Sequence, residues 1–223
     1  MSRTMPERQT HLEILKAALE EFGADHPICD FSYAKLSHAN LSRSILSGAH
    51  LTGADMTRAI LIGAKLDGAK LDGADMTRAN LRDVNLRGAH LNGADLSGAN
   101  LNRADLADAD LRGANLSGAD LDNADLTGAK LDGADLRAAD LRGAWLPGAN
   151  LTGAKNIVAV SGLGSERRVA YFVRYTGGIM VQAGCFWGTT AELLEQAHQK
   201  HGDDYGGYLA AVTYAQTVLW RQK

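Results

Sequence analysis

One cysteine stands in a context that could support thiol chemistry. Cys185 lies in Gly184-Cys185-Phe186-Trp187-Gly188, between a predicted strand at 178–183 and a predicted helix that begins near Thr189. A thiol just before a helix is exposed and has a lowered pKa, which are the properties of a nucleophilic cysteine. The sequence therefore offers a thiol enzyme as one hypothesis and a packed Cys-Phe-Trp cluster as the alternative.

Two histidines and an aspartate near the C-terminus suggest a second kind of chemistry. His198, His201 and Asp203 could supply metal ligands, but their spacing is loose and fits a solvated helix end better. The chain contains only two cysteines, far apart in sequence, which excludes a disulfide framework. The sequence predicts no metal ion, no cofactor and no catalytic residue.

Acidic residues are concentrated in one part of the chain. Residues 35–104 hold nine Lys or Arg against six Asp, whereas residues 105–140 hold nine Asp against three Lys or Arg. The formal net charge of -3 argues against a nucleic-acid binder that works through bulk positive charge. Stacked carboxylates repel one another, so they require neutralising neighbours or another reason. The candidates for an acidic interaction surface are Asp105, Asp120, Asp125, Asp135 and Asp140.

Four apolar residues interrupt an otherwise polar pattern of outward positions. Ile60 and Ile62 flank Leu61, Ile45 lies nearby on another face, and Trp145 lies towards the other end. Exposed apolar clusters mark sites where something docks. We expect the C-terminal part of the chain to cover Trp145, and a partner or the N-terminal segment to cover the isoleucines.

All these outward positions are set by a five-residue repeat that runs without interruption from Cys29 to Gly153. A large apolar residue, mostly Leu, recurs at every fifth position, and a small one, mostly Ala, precedes it by two positions. A helix advances about 100° per residue, so this spacing builds no buried stripe on a helix. In an extended segment both residues point to one side. Each unit therefore predicts a very short strand, followed by a tight turn at the Gly two residues after the Leu.

A second, longer repeat in the sequence indicates the number of units in each turn of the coil. Asp55-Met56-Thr57-Arg58-Ala59 recurs as Asp75-Met76-Thr77-Arg78-Ala79, which is a period of 20 residues, or four units. The 25 units then form a square coil of about six turns, stacked about 4.8 Å apart. Because Leu and Ala fill the interior, no cleft remains, and any function falls on the outer faces.

The repeat resembles the pentapeptide-repeat family, whose formula Ala-(Asp/Asn)-Leu-X-X is matched by Ala94-Asp95-Leu96-Ser97-Gly98 and most other units. The resemblance covers residues 29–153 and implies an all-β solenoid, a right-handed quadrilateral β-helix. Some members, which confer quinolone resistance, resemble B-form DNA and occupy the DNA channel of gyrase or topoisomerase IV. By that resemblance the five candidate aspartates would take the place of phosphates, of which duplex DNA presents about one per 1.7 Å.

Segments of different composition flank the repeat, which we place at residues 29–155. Residues 1–28 contain an amphipathic pattern at 7–22, which predicts a helix that caps the open end of the coil. Residues 156–223 predict a hairpin of strands 169–174 and 178–183, then helices at 191–201 and about 205–220, as a small α+β cap.

The C-terminal segment carries two resemblances of its own. It resembles small C-terminal domains of uncharacterised bacterial and prophage proteins. Residues 184–188 are similar to the catalytic Cys motif of A-type peptide methionine sulfoxide reductases. However, only about 68 residues follow the repeat, which are too few for that enzyme's domain, and none of its other catalytic residues can be placed.

The sequence favours a non-enzymatic, cytoplasmic scaffold that binds an unidentified protein through the outer faces of the coil, without contacting nucleic acid or a membrane. One alternative is a DNA-mimicking binder of a type II topoisomerase. The other is a thiol enzyme that uses Cys185. A homodimer through an end module is also open, since the tail carries aromatic residues at Tyr205, Tyr208, Tyr214 and Trp220.

Overall fold

The structure is a computed structural model that describes residues 30–163, 168–175, 178–183, 186–201 and 206–221. Cys29, Cys185 and the predicted N-terminal helix at 7–22 lie outside these residues. So do Asp203 and Tyr205.

The repeat forms a coil in which every turn contains 20 residues. Parallel β-bridges join residues 20 apart, from Asp30↔His50 to Asp135↔Lys155, and each unit contributes one bridging residue, which lies between its Ala and its Leu. Around Leu101, for example, the Leu101 N–H donates to the Asp120 carbonyl at 2.7 Å. The turn therefore has four sides, as the 20-residue echo predicts.

A tight turn ends every side of the coil. The N–H of each Ala donates to the carbonyl of the Leu three residues earlier, as from Ala74 to Leu71 at 3.0 Å. The residue two after the Leu adopts positive φ, such as 65° at Gly73, which L-residues with a Cβ rarely adopt. This explains the recurring Gly at that position. Several units nevertheless place a larger residue there, including Arg58 and Arg78, both at φ 55°.

The Leu and Ala positions fill the interior, as the repeat predicts. From Leu46 to Ala134, every residue at a Leu or Ala position is at most 1% exposed, and the core includes Met56, Met76 and Val84. Burying one such Leu contributes about 1.5–3 kcal/mol by transfer from water. Because this burial is repeated in every unit, the packed Leu and Ala side chains along the axis are the main source of the coil's stability.

Four strands and two helices follow the coil. The strands are β1 (Ile157–Leu163), β2 (Arg168–Tyr175), β3 (Gly178–Ala183) and β4 (Phe186–Thr189), in an antiparallel sheet of order β1-β2-β3-β4. The helices are α1 (Thr190–His201) and α2 (Gly206–Arg221). The Thr189 hydroxyl and Glu192 carboxylate form a capping box before α1, with the Thr189 N–H donating to Glu192 Oε2 at 2.7 Å.

The sheet differs from the predicted hairpin because it has two more strands. β1 begins directly after the last bridge of the coil, and it pairs with β2 through an irregular register between Val160 and Leu163. β4 is only four residues long and includes Gly188, so it lacks the alternating pattern by which strands are recognised. β4 therefore owes its conformation to pairing with β3, whereas β1 begins Ile-Val-Ala-Val and has strand propensity of its own.

Alternate residues of β2 face two different cores. Tyr171 and Val173 join the interior cluster of the coil, whereas Ala170 and Phe172 pack in a second cluster with residues of α1 and α2. Two polar contacts also tie the sheet to the coil. The Gln182 amide donates to the Ala144 carbonyl at 2.7 Å, and the buried Asn156 amide donates to the Arg174 carbonyl at 2.6 Å. Neither of the described helices is both long and apolar enough to cross a bilayer.

Among the ion-paired aspartates of the coil, Asp110 and Asp135 each contact both an arginine two residues on and a lysine of the next coil. Asp110 accepts hydrogen bonds from the Arg112 guanidinium at both oxygens, at 2.7 Å each, and lies 3.4 Å from Lys130. Asp135 likewise pairs with Arg137 and Lys155. In both cases the arginine hydrogen bonds lower the carboxyl pKa to about 2, although partial burial opposes the shift.

We expect Leu101→Ala to lower the unfolding free energy by about 2–5 kcal/mol, because it leaves a cavity in the middle of the filled axis. Urea unfolding followed by circular dichroism measures the loss. Ile45→Ala is the matched control, since its side chain points outward, and we expect it to cost no more than about 0.5 kcal/mol. Equal losses in the two variants would contradict the assigned interior.

The two ion-paired aspartates predict an acid-sensitive contribution to stability. A lowered carboxyl pKa stabilises the folded chain above the ordinary value, about 3.9, and this stabilisation is lost as the pH falls towards about 2. Asp110→Asn plus Asp135→Asn should therefore lower the urea midpoint at pH 7, and the difference from the native chain should shrink between pH 4 and 2. Asp105→Asn, which breaks no ion pair, should change the midpoint less at pH 7. A difference for the double variant that is the same at every pH would refute the prediction.

Candidate protein-interaction surface

The bridging residues form one column on each side of the coil. Two adjacent columns, which we call side A and side B, contain most of the predicted interaction residues. Side A is Asn40, Ile60, Asn80, Asn100, Asp120 and Asp140. Side B is Ile45, Lys65, Asn85, Asp105, Asp125 and Trp145.

Eight of the nine predicted interaction residues lie on sides A and B or at the corner between them. Ile62 is the corner residue, two positions after Ile60 on side A and three before Lys65 on side B. Only Asp135 lies on another side, where it bridges to Asn115 and Lys155. The fold thus joins positions up to 100 residues apart in sequence into one surface.

The aspartates on these two sides have a structural role in the turns. Asp105 Oδ1 accepts the Ala107 N–H at 3.0 Å, and Asp125 Oδ1 accepts both the N–H and the hydroxyl of Thr127, at 2.9 and 2.6 Å. Asp120 Oδ1 accepts the Asp122 N–H at 3.0 Å. Asp and Asn favour this position because their short side chains reach the N–H two residues on. Turn formation therefore explains why an acidic or amide residue so often precedes the Leu.

The five predicted aspartates differ in their charge environment. Asp135 and Asp140 are paired, and Asp140 accepts the Arg142 guanidinium at 2.6 Å, which holds its pKa below the ordinary value. Within the described ranges, no cation lies within 4 Å of the Asp105, Asp120 or Asp125 carboxylate. Asp105, Asp120 and Asp125 thus form no ion pair, although the charges of Asp120 and Asp122 help to raise the pKa of Arg142. We use the word free for a carboxylate without an ion pair of this kind.

A fourth free carboxylate, Asp122, lies beside these three and was not predicted from the sequence. It is at the corner between sides A and B, where it accepts the Asn102 amide at 3.1 Å and has no described cation within 4 Å. We call Asp105, Asp120, Asp122 and Asp125 the acidic patch. The 20-residue register could have identified Asp122, because Asp122 follows Asp120 by two positions, as Ile62 follows Ile60.

The apolar candidates lie at the two ends of the same surface. Ile45, Ile60 and Ile62 are 57%, 38% and 37% exposed, and Trp145 is 44% exposed next to Asp125 on side B. The expectation that the C-terminal segment covers Trp145 is not met. The sheet instead reaches the inward-facing core of the coil through Tyr171 and Val173. Exposed Tyr33 lies on a different corner, where its ring projects over Gly53.

The predicted aromatic contact in the tail is only partly described. Tyr214 and Trp220 are more than half exposed, and the Trp220 ring lies 4.5 Å from the Arg174 guanidinium carbon. Tyr208 packs against the second cluster. The two-fold contact stays a prediction.

No group of three or more His, Cys, Asp or Glu in the described ranges could hold a metal ion. Cys185 lies outside those ranges, so the thiol hypothesis stays a prediction. Flat sides bearing free carboxylates and exposed apolar residues can bind another molecule, but they do not enclose one.

Known proteins are similar to the chain over its repeat. The family model described as pentapeptide repeats matches in eight copies, over residues 29–61, 46–78, 59–98, 79–118, 99–137 and 134–155. No curated protein matches the chain.

Among solved structures, the chain is 35% identical to HetL, a pentapeptide repeat protein involved in heterocyst differentiation regulation from the cyanobacterium Nostoc sp. strain PCC 7120. That match covers 56% of this chain and 75% of HetL, with a TM-score of 0.42. The chain is also 33% identical to alr5209, a pentapeptide repeat protein from Nostoc PCC 7120. That match covers 69% of this chain and all of alr5209, with a TM-score of 0.22.

The chain is also 23% identical to QnrB1, a plasmid-mediated fluoroquinolone resistance protein, over 52% of this chain and 66% of QnrB1, with a TM-score of 0.27. Because the family model covers more than half of the sequence, the chain belongs to the pentapeptide-repeat family, whose members form right-handed quadrilateral β-helices.

Proposed function

We propose that the protein is a non-enzymatic scaffold that binds a protein partner through sides A and B. The observation that carries this proposal is the clustering on two adjacent sides. Three exposed isoleucines, one exposed tryptophan and four free carboxylates share one continuous surface. Apolar residues exposed in this way are typical of interaction sites.

The shape of the coil supports binding over catalysis. Its axis is filled by Leu and Ala, so neither side opens into an enclosed pocket. Each side stacks six bridging positions, which span about 24 Å at about 4.8 Å per coil. This length suits the face of a folded partner or an extended segment.

The surface also suggests what the partner carries. Apolar contact is available at the isoleucine end and at Trp145, while the acidic patch between them favours Lys or Arg. Complementary charge of this kind increases the association rate and selects the partner. We therefore expect a partner surface that combines apolar groups with basic residues.

The C-terminal sheet has a supporting role in this proposal. A coil that ended at its last bridge would expose unpaired backbone groups and a cross-section of Leu. At that end the core is joined by Ile157, Tyr171 and Val173. The Gln182 side-chain amide also donates a hydrogen bond to the Ala144 carbonyl. We propose that the sheet caps the coil and prevents end-to-end association, so that only the sides are available for binding.

Photocrosslinking tests which corner of the coil meets the partner. A benzophenone amino acid at position 62, between sides A and B, should give covalent adducts in a native lysate. The same amino acid at position 52 is the matched control, because Thr52 occupies the same place in its unit on the opposite corner. Equal adducts from both positions, or none from position 62, would defeat the proposed surface.

The acidic patch favours one specific alternative, a DNA-mimicking binder of a type II topoisomerase. Its four free carboxylates lie within about one turn of the coil, roughly 5 Å of its axis. Duplex DNA presents about three charges over that distance. The match is local, because Asp135 and Asp140 are neutralised by arginines.

A gyrase supercoiling assay distinguishes this alternative. If the patch mimics DNA, the purified chain should inhibit supercoiling or protect gyrase from a quinolone. Asp120→Asn plus Asp125→Asn should then abolish the effect, since Asn keeps the turn acceptor and removes the charge. Asp135→Asn plus Arg137→Gln removes an oppositely charged pair from another side of the coil and should leave the effect unchanged. No effect of the native chain at high concentration would dispose of the alternative and leave the scaffold proposal standing.

A further inference from the structure

A polar groove runs along a different corner of the coil from the one between sides A and B. It follows the corner where the column of Asp55, Asp75 and Asp95 meets side A. Its volume is about 490 Å³, and it is lined by His38, Thr57, Arg58, Thr77, Arg78, Ser97, Gly98 and Ser117. We call it the Thr/Arg groove. Hydroxyls form one row of its lining, and His38, Arg58 and Arg78 begin the other.

The two arginines of the groove lack the ion pairs made by the arginines further along the coil. Those at 82, 87, 103, 112, 137 and 142 each lie within 4 Å of an Asp carboxylate. Among the described residues, Arg58 and Arg78 have no carboxylate within that distance. Two guanidinium charges on adjacent coils are therefore left without a protein counterion.

The backbone at these arginines is unfavourable for their residue type. Arg58 and Arg78 have φ of 55°, at the position where most units have Gly. A non-Gly residue in this conformation costs on the order of 1–3 kcal/mol. Arg43 and Arg103 adopt it too, so what distinguishes Arg58 and Arg78 is their place in the groove. The Arg78 stem lies over Gly98, 3.4 Å from the place of a Cβ there. Gly98 thus leaves space for the Arg78 side chain along the groove.

We propose that the Thr/Arg groove binds a phosphate monoester. A phosphate monoester carries a charge of about −1.5 to −2 at neutral pH, which two arginines balance, whereas one arginine satisfies a carboxylate. Adjacent coils are about 4.8 Å apart, so both guanidinium groups can reach one phosphate and donate paired hydrogen bonds to its oxygens. The Thr77 and Ser97 hydroxyls of the lining hydrogen-bond to the Asp95 carboxylate, so recognition of the phosphate rests on the two arginines.

The neighbouring carboxylates limit what kind of anion fits. Asp55, Asp75 and Asp95 recur at every coil beside the groove, and each accepts the N–H two residues on, at 3.2, 3.0 and 2.9 Å. A nucleic-acid strand running along the groove would pass all three charges. A single phosphate held between Arg58 and Arg78 meets the cations directly. The geometry therefore favours one phosphate group over a polyanionic chain.

Titration of the full chain with O-phospho-L-threonine, followed by ¹H–¹⁵N correlation spectra, tests the proposal. We expect saturable shifts of the Thr57, Arg58, Thr77 and Arg78 amides. Arg58→Gln plus Arg78→Gln should weaken binding by about tenfold or more, because charged hydrogen bonds are lost. Arg87→Gln plus Arg103→Gln removes the same charge from paired positions and should leave the affinity unchanged.

Two further measurements keep the outcome decisive. Arg58→Gly plus Arg78→Gly should abolish binding without lowering the thermal midpoint, since Gly accepts this backbone conformation. Inorganic phosphate tests whether the ester is recognised: tighter binding of phosphothreonine supports a monoester from a phosphorylated protein, whereas equal affinity would show that the groove takes the free anion and would overturn the monoester proposal. Absence of saturable shifts, equal loss in the paired-arginine control, or acetate binding as tightly as phosphate would overturn the proposal. None of these results depends on sides A and B.

Discussion

The filled axis of Leu and Ala side chains is the constraint on which the rest of the structure depends. Each turn places its apolar residues against those of the turn before, and the parallel bridges hold the 20-residue register. A shift by one residue would turn the Leu outward, so burial fixes the register of every unit. Because the register never changes, outward residues 20 apart stack in straight columns, and the sides stay flat.

The same constraint gives the outward aspartates two roles. The residue before each Leu bridges to the next coil, and when it is Asp or Asn its side chain also closes the following turn, as Asp105 does for Ala107. Acidity along the coil is thus partly a result of turn chemistry. The aspartates differ in whether a basic side chain lies close enough to form an ion pair with them. Arg137 neutralises Asp135, while Asp125 has no such neighbour among the described residues.

The arginines of the coil also differ in whether they form an ion pair. A guanidinium at the left-handed position of a turn can pair with a carboxylate on the adjacent coil, as Arg103 does with Asp83. It can also lie along a groove with no described carboxylate within 4 Å, as Arg78 does. Column neighbours one coil away decide between these outcomes. A net charge for the chain, or for half of it, therefore describes its binding surfaces poorly.

The five-residue period and its 20-residue echo determined the coil, its four sides and its interior, because burial of Leu and Ala repeats at a spacing that no helix can satisfy. They also placed Ile45, Ile60, Ile62 and Trp145 outside. Only the tertiary structure decided the ion pairs between coils, such as Arg103 with Asp83 and Lys130 with Asp110, because stacking brings these residues together. It also decided β4, since this four-residue strand is stabilised by pairing with β3 rather than by any local pattern.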